Sequence, residues 1–134
     1  MLVVSRSAVE AMVAHCLDGY PLEACGLLAG QPGERTEVER VYPTANSAAS
    51  ARLYTVEPRA LLRADRDATG AGLELIGVWH SHTHTEAYPS PTDVAQAPDP
   101  AWHYVVVSLR DTEPVLRSYS IVDGKIAEER VVVQ

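Results

Sequence analysis

The stretch Leu73-Glu-Leu-Ile-Gly-Val-Trp-His80-Ser-His82-Thr-His84-Thr-Glu-Ala-Tyr-Pro-Ser90-Pro-Thr-Asp93 decides the reading of this chain. Leu73 to Trp79 is an apolar run of strand length that leads straight into His80. Side chains alternate along a strand, so His80 and His82 face the same side, with Cα atoms roughly 6.6 Å apart, near enough to share one metal ion. Seven residues then intervene before Ser90, and Asp93 follows three later. If a helical turn begins near Ser90, both side chains project from one side of it. Two histidines and a carboxylate, with a fourth position left for water, are the donors of a catalytic zinc and not of a closed structural one. The pattern H-x-H-x7-S-x-x-D fixes four positions, which separates it from an isolated polar strand end. In a continuing strand His84 would lie about 13 Å from His80. It is therefore placed at the rim of the site unless the chain turns at Thr83. His15, inside the first helix, and His103, at the start of a strand, are read as structural.

Working outward, Ser7-Ala-Val-Glu10 has capping-box spacing and is read as opening a helix to about Leu17, with Val9, Met12, Val13 and Cys16 on one stripe. Strands are expected over Ala24–Ala29 and Val38–Tyr42, with a loop from Thr44 to Arg52 and a short strand over Leu53–Val56. Pro58 suits a first helical turn, and Gly70 closes that helix. Tyr104–Leu109 reads as a strand. Val115–Val122 and Ile126–Val133 flank Asp123-Gly124, a hairpin signal. Helices interleave with strands early and strands pair late, so the expected fold class is α/β: a single domain over residues 1–134 with a mixed sheet flanked by helices.

The 134 residues suit one domain with its own core. With 46% apolar and 22% charged residues the composition is globular. Eighteen acidic against eleven basic residues give a formal charge of −7, and no basic run is present. That argues against a nucleic-acid partner. No apolar stretch approaches the length of a membrane span, and the N-terminus lacks a signal-peptide core, so a cytoplasmic protein is expected. Cys16 and Cys25 are too few for a disulfide framework or a four-cysteine zinc knot.

Hydrolysis at such a zinc needs a base. Glu23, in Pro-Leu-Glu-Ala-Cys-Gly-Leu-Leu, is the candidate, because a carboxylate at the mouth of an apolar strand is costly if buried unpaired. On the residues alone a solvated surface glutamate is an equal reading. Cys25 is read as a small core hydrophobe.

Glu23 together with His80-x-His82-x7-Ser90-x-x-Asp93 resembles the JAMM motif of the MPN-type metallopeptidases, at every motif position. The resemblance implies a curved mixed sheet of the cytidine-deaminase-like JAMM/MPN kind. It implies that His80, His82 and Asp93 hold zinc, that Glu23 is the general base, and that Ser90 steadies the tetrahedral intermediate. The runs Thr85–Ser90, His103-Tyr-Val and Leu116–Gly124 are similar to the small bacterial Mec-type members. Those enzymes release cysteine from the Gly-Gly end of CysO, a ubiquitin-like sulfur carrier used in cysteine biosynthesis. His84 stands where the family usually has a small residue, a departure at the rim of the specificity pocket. Processing of a different ubiquitin-like carrier, and a non-catalytic MPN scaffold, are the alternative expectations. Oligomeric state is not readable.

Overall fold

The computed structural model describes residues 1–134. Its elements run β1 (Leu2–Val4), α1 (Arg6–Gly19), β2 (Cys25–Gln31), β3 (Thr36–Thr44), α2 (Pro58–Gly70), β4 (Glu74–His82), α3 (Pro91–Ala95), β5 (His103–Ser108), β6 (Val115–Val122), β7 (Lys125–Glu129) and β8 (Val131–Val133). All eight strands form one sheet in the order β7-β6-β5-β4-β2-β3-β1-β8. The sheet is mixed: β4 runs parallel to β5, and β1 runs parallel to β3 and β8, while the remaining pairs are antiparallel.

β4 lies at the centre because its residues can be buried on both faces. On one face Trp79 and Ile76 join Leu2, Val4, Met12, Cys16, Leu28, Val105 and Val107 in the main core under α1. On the other face Val78 joins Leu27, Ala64, Tyr104 and Ile121 under α2. The two faces separate by alternation from Val78 to His82. Below that, the register with β2 slips between Leu28 and Ala29, leaving Ile76 as an extra residue in β4. Trp79 is fully buried and lies over Gly26, its cross-strand partner. A Cβ at position 26 would stand 2.3 Å from the indole and 2.4 Å from the Tyr42 carbonyl, so only glycine fits there. Truncating Trp79 to alanine would cost about 3–5 kcal/mol by leaving that space unfilled.

β7 and β8 sit at opposite edges of the sheet, yet only Arg130 separates them in sequence. The sheet must therefore curl until its edges approach. A polar cluster marks the closure. Glu129 takes hydrogen bonds from His103 Nδ1 (2.5 Å) and the Ser118 hydroxyl (2.7 Å) and pairs with the Met1 ammonium (3.3 Å), and His103 Nε2 lies 3.2 Å from Thr36 Oγ1. Burial would raise the Glu129 carboxyl, but these partners hold it below its ordinary range. His103 is structural, as expected. So is His15, which donates to the Thr44 carbonyl (3.0 Å) and meets Trp79 edge-on.

Several expectations need correction. α1 begins two residues earlier than the Ser7–Glu10 spacing suggested. Ser5 is the N-cap and accepts the Ala8 N–H, while Ser7 contacts the Ser5 hydroxyl. The helix side of the boundary is the same, but a serine at either position offers a cap, and the packing of Leu2–Val4 selects the first. Leu53–Val56 is not a strand. Only an isolated bridge between Asn46 and Val56 forms, because no neighbouring strand is left to pair with. Gly70 ends α2 without a left-handed backbone. The positive φ falls at Gly72. The closing hairpin turns at Asp123-Gly124, both with φ > 0 as a type I′ turn requires. Its second strand breaks at Arg130, so that Val131–Val133 can leave β6 and pair with β1. No helix is long and apolar enough to cross a membrane.

Candidate metal centre

The end of β4 delivers both histidines to the α2 face of the sheet, at the carboxyl edge of two parallel strands, where open α/β sheets place their ligands. His80 and His82 are 2% and 4% exposed, and their Nε2 atoms stand 3.2 Å apart. The third donor comes from α3. Ser90 is its N-cap: Ser90 Oγ accepts the Asp93 N–H (3.1 Å), and the Asp93 carboxylate accepts the Ser90 N–H (2.9 Å), a reciprocal capping box. This box fixes the Asp93 rotamer and aims Oδ2 at the histidines, 3.1 Å from His80 Nε2 and 3.0 Å from His82 Nε2.

Two imidazole nitrogens and a carboxylate oxygen therefore meet at one buried point. The His82 tautomer is settled by its other nitrogen. Nδ1 lies 2.9 Å from the Glu86 carbonyl, which can only accept, so Nδ1 carries the hydrogen and the neutral ring turns a lone pair at Nε2 toward the cluster. Acceptor atoms crowded this closely suit a cation between them, and the nitrogen–oxygen donor set fits zinc. His80 is held differently. Its Nδ1 is buried without a partner, and its ring is covered by Tyr54, stacked at 4.2 Å and 20°. Among these groups burial opposes charge. It lowers His80 below the ordinary imidazole value despite Asp93. Burial also opposes ionisation of Asp93, but His80 and His82, whose Nε2 atoms donate to it when protonated, outweigh burial and hold the carboxyl well below the usual range.

Glu23 lies just before β2 and is 5% exposed, with Oε1 lacking any hydrogen-bond partner. Burial pushes its carboxyl up to about 7, with His82 pulling down and Asp93 pushing up. The solvated-surface reading of Glu23 is thereby excluded. Its backbone is clamped by the loop after β3: Glu23 N–H donates to the Ser50 carbonyl (2.8 Å), and Asn46 Nδ2 donates to the Glu23 carbonyl (2.9 Å) and to that of Leu53 (3.0 Å). Asn46 Oδ1 accepts from Ala48 and Thr55 N–H, shaping the loop as an Asx turn.

Sequence reasoning treated Thr44–Arg52 as a connector and Leu53–Val56 as a strand, and so missed Asn46, Arg52 and Tyr54. The one signal available was an asparagine in a small-residue run, which marks a turn and not a site. Cys25 is fully buried, bonded to the Thr44 hydroxyl, with its thiol pushed up by burial. It is a core residue. His84 is exposed at the rim, bonded to Thr83 and Tyr20, and takes no part in the donor cluster.

Two cavities flank the donors. A polar one of about 520 Å³ is lined by Glu23, Arg52, His82, His84 and Ser90 among others. An apolar one of about 390 Å³ is lined by Leu27, Tyr54, Val56, Leu61, Val78 and Trp102. Tyr54 belongs to the second and covers His80 from that side.

The family model for prokaryotic homologs of the JAB domain matches residues 5–122. CysO-cysteine peptidase of Mycobacterium tuberculosis is 45% identical over 134 residues, covering 99% of this chain and 91% of that protein. Desampylase of Haloferax volcanii is 31% identical over 112 residues, covering 80% of each. The solution structure of a Desulfitobacterium hafniense protein, 36% identical, superimposes over 100% of this chain and 93% of that one with a TM-score of 0.92. The curved mixed sheet, the matched span and these relatives agree, and the chain belongs to the prokaryotic JAB-domain family, the JAB/MPN group to which its histidine–serine–aspartate spacing pointed.

Proposed function

We propose that this protein is a zinc peptidase that hydrolyses the bond after the C-terminal Gly-Gly of a small ubiquitin-like sulfur carrier and releases cysteine. The observation that carries the reading is the buried meeting of His80 Nε2, His82 Nε2 and Asp93 Oδ2 beside the unpartnered Glu23 carboxylate. A structural metal would need no base, and a buried carboxylate without a partner is costly unless it has a task. The substrate is supported by the 45% identity to CysO-cysteine peptidase along almost the whole chain.

His80, His82 and Asp93 would hold the zinc. When bound there it polarises the scissile carbonyl and makes water a stronger acid near neutral pH. Glu23 takes a proton from the attacking water, whose oxygen adds to the glycyl carbonyl carbon. The Gly–Cys amide bond then breaks, and Glu23 returns the proton to the departing amine. A carboxyl poised at about 7 can do both near neutral pH. Ser90 Oγ accepts the Asp93 N–H, so its own hydrogen is free to donate to the oxygen that gains charge. Such a donor is worth about 3 kcal/mol of barrier. The apolar cavity beside Tyr54 suits the side chains that precede a Gly-Gly tail.

The reading is tested by intact-mass measurement of carrier–cysteine adducts incubated with zinc-loaded protein. It expects loss of one cysteine residue, abolished by chelator and restored by zinc. Adducts that stay intact, while isopeptide conjugates of a carrier are cut, would transfer the assignment to conjugate removal.

A further inference from the structure

Arg52 lines the polar cavity, and its backbone is held by the same loop that clamps Glu23. The Ser50 carbonyl takes the Glu23 N–H and the Ser50 hydroxyl takes the Arg52 N–H (3.0 Å), while Asn46 ties Glu23 to Leu53 on the other side of Arg52. Arg52 is thus built into the surroundings of the base. Its guanidinium joins no ion pair, as for five other arginines of the chain, and what sets it apart from them is its place beside Glu23. It is the one permanent cation lining the cavity that also holds Glu23, His82 and Ser90.

We propose that Arg52 is a specificity residue that binds the α-carboxylate of a single amino-acid leaving group, so that the site works as a carboxypeptidase on the carrier tail. This rests on the peptidase reading above. The departing amine must face Glu23, which returns its proton. In a terminal residue the α-carboxylate is two bonds from that nitrogen, and so lies in the cavity that Glu23 shares with Arg52. A guanidinium fork matches a carboxylate with two parallel hydrogen bonds. About 520 Å³ of polar space accommodates one small residue. A lysine conjugate would instead place an aliphatic stem there, with no anion for Arg52. Of the other groups lining the cavity, Thr83 and Thr85 are neutral, and His84, which contacts the Tyr20 hydroxyl at 3.3 Å, carries no fixed charge.

The test uses a ubiquitin-like carrier with a Gly-Gly thioester end, ligated either to cysteine or to cysteine amide. The two substrates differ only in the terminal charge. Zinc-loaded wild-type protein is expected to prefer the free acid roughly 10- to 100-fold in kcat/KM, mostly through KM, which is the range for hydrogen bonds to a charged partner. In Arg52→Gln the ratio should fall to about one, with zinc content unchanged, and Arg52→Lys should restore part of it. Equal cleavage of acid and amide by the wild type, or a preference that survives in Arg52→Gln, overturns the role of Arg52 and leaves the peptidase reading standing. If neither adduct is cut, the substrate reading falls and this inference with it.

Discussion

Replacing Glu23 by glutamine separates the two things that this residue does. The side chain is nearly isosteric, so the clamp through Ser50 and Asn46, which uses only Glu23 backbone atoms, is retained. On the proposed mechanism the base is lost, and kcat should fall by about 10²–10⁴ with zinc content unchanged. Stability should move the other way. The Glu23 carboxyl sits at about 7 in the folded chain against an ordinary value of 4.5, because burial disfavours its charge. A folded value above the unfolded one means that the contribution to stability is fully present below about 4.5 and is lost as pH rises to about 7. At roughly 1.4 kcal/mol per pH unit the loss amounts to about 3 kcal/mol. Metal-free wild-type protein should therefore lose several degrees of Tm between pH 4.5 and 8 from this group, at about 2–4 °C per kcal/mol for a chain of this size. Glutamine cannot ionise, so metal-free Glu23→Gln should show a flatter dependence and a higher Tm at pH 8. Both are read from thermal melts at a series of pH values, alongside zinc content and single-turnover cleavage on the same preparations. An unchanged pH profile in the metal-free variant would mean that Glu23 is solvated, and near-normal cleavage would remove it as the base.

Ser90→Ala should lower kcat roughly 100-fold, because one donor to the developing oxyanion is gone. The same change removes the α3 N-cap, so a loss of about 0.5–2 kcal/mol in stability should accompany it, measured by denaturant unfolding. Cleavage within twofold of wild type would reduce Ser90 to a cap. Tyr54→Phe keeps the ring over His80 and should leave zinc affinity unchanged, whereas Tyr54→Ala should weaken it about tenfold or more in competition with a chromophoric chelator, because His80 Nδ1 has no other group to orient the ring. Equal affinity in both variants would show that the stack does not position the ligand.

The cluster of candidate metal donors was legible because each member is encoded locally. Strand alternation puts His80 and His82 on one face, and the Ser90–Asp93 capping box sets the carboxylate through bonds within four residues. The two-faced burial of β4 was visible in its unbroken apolar run. What escaped depends on distant partners. Whether Leu53–Val56 becomes a strand is decided by the absence of a neighbour to pair with, and the break at Arg130 by the competition between β6 and β1 for the same chain. Ser5 wins the α1 cap over Ser7 through the placement of β1. The loop residues were hardest to see. Asn46 clamps Glu23 from 23 positions away, and Tyr54 covers His80 from 26, so neither leaves a periodic trace. Glu23 is fixed by backbone bonds to that same distant loop, which is why its neighbours in sequence left base and surface residue equally open.

The most direct test of the account is a zinc titration of metal-free protein, with hydrolysis of a carrier–cysteine adduct followed at each addition. The account predicts no cleavage without metal, a linear rise to one zinc per chain, no further gain beyond it, and neither zinc uptake nor cleavage in Asp93→Ala. Full activity in the metal-free protein, or zinc uptake by Asp93→Ala equal to wild type, would contradict it.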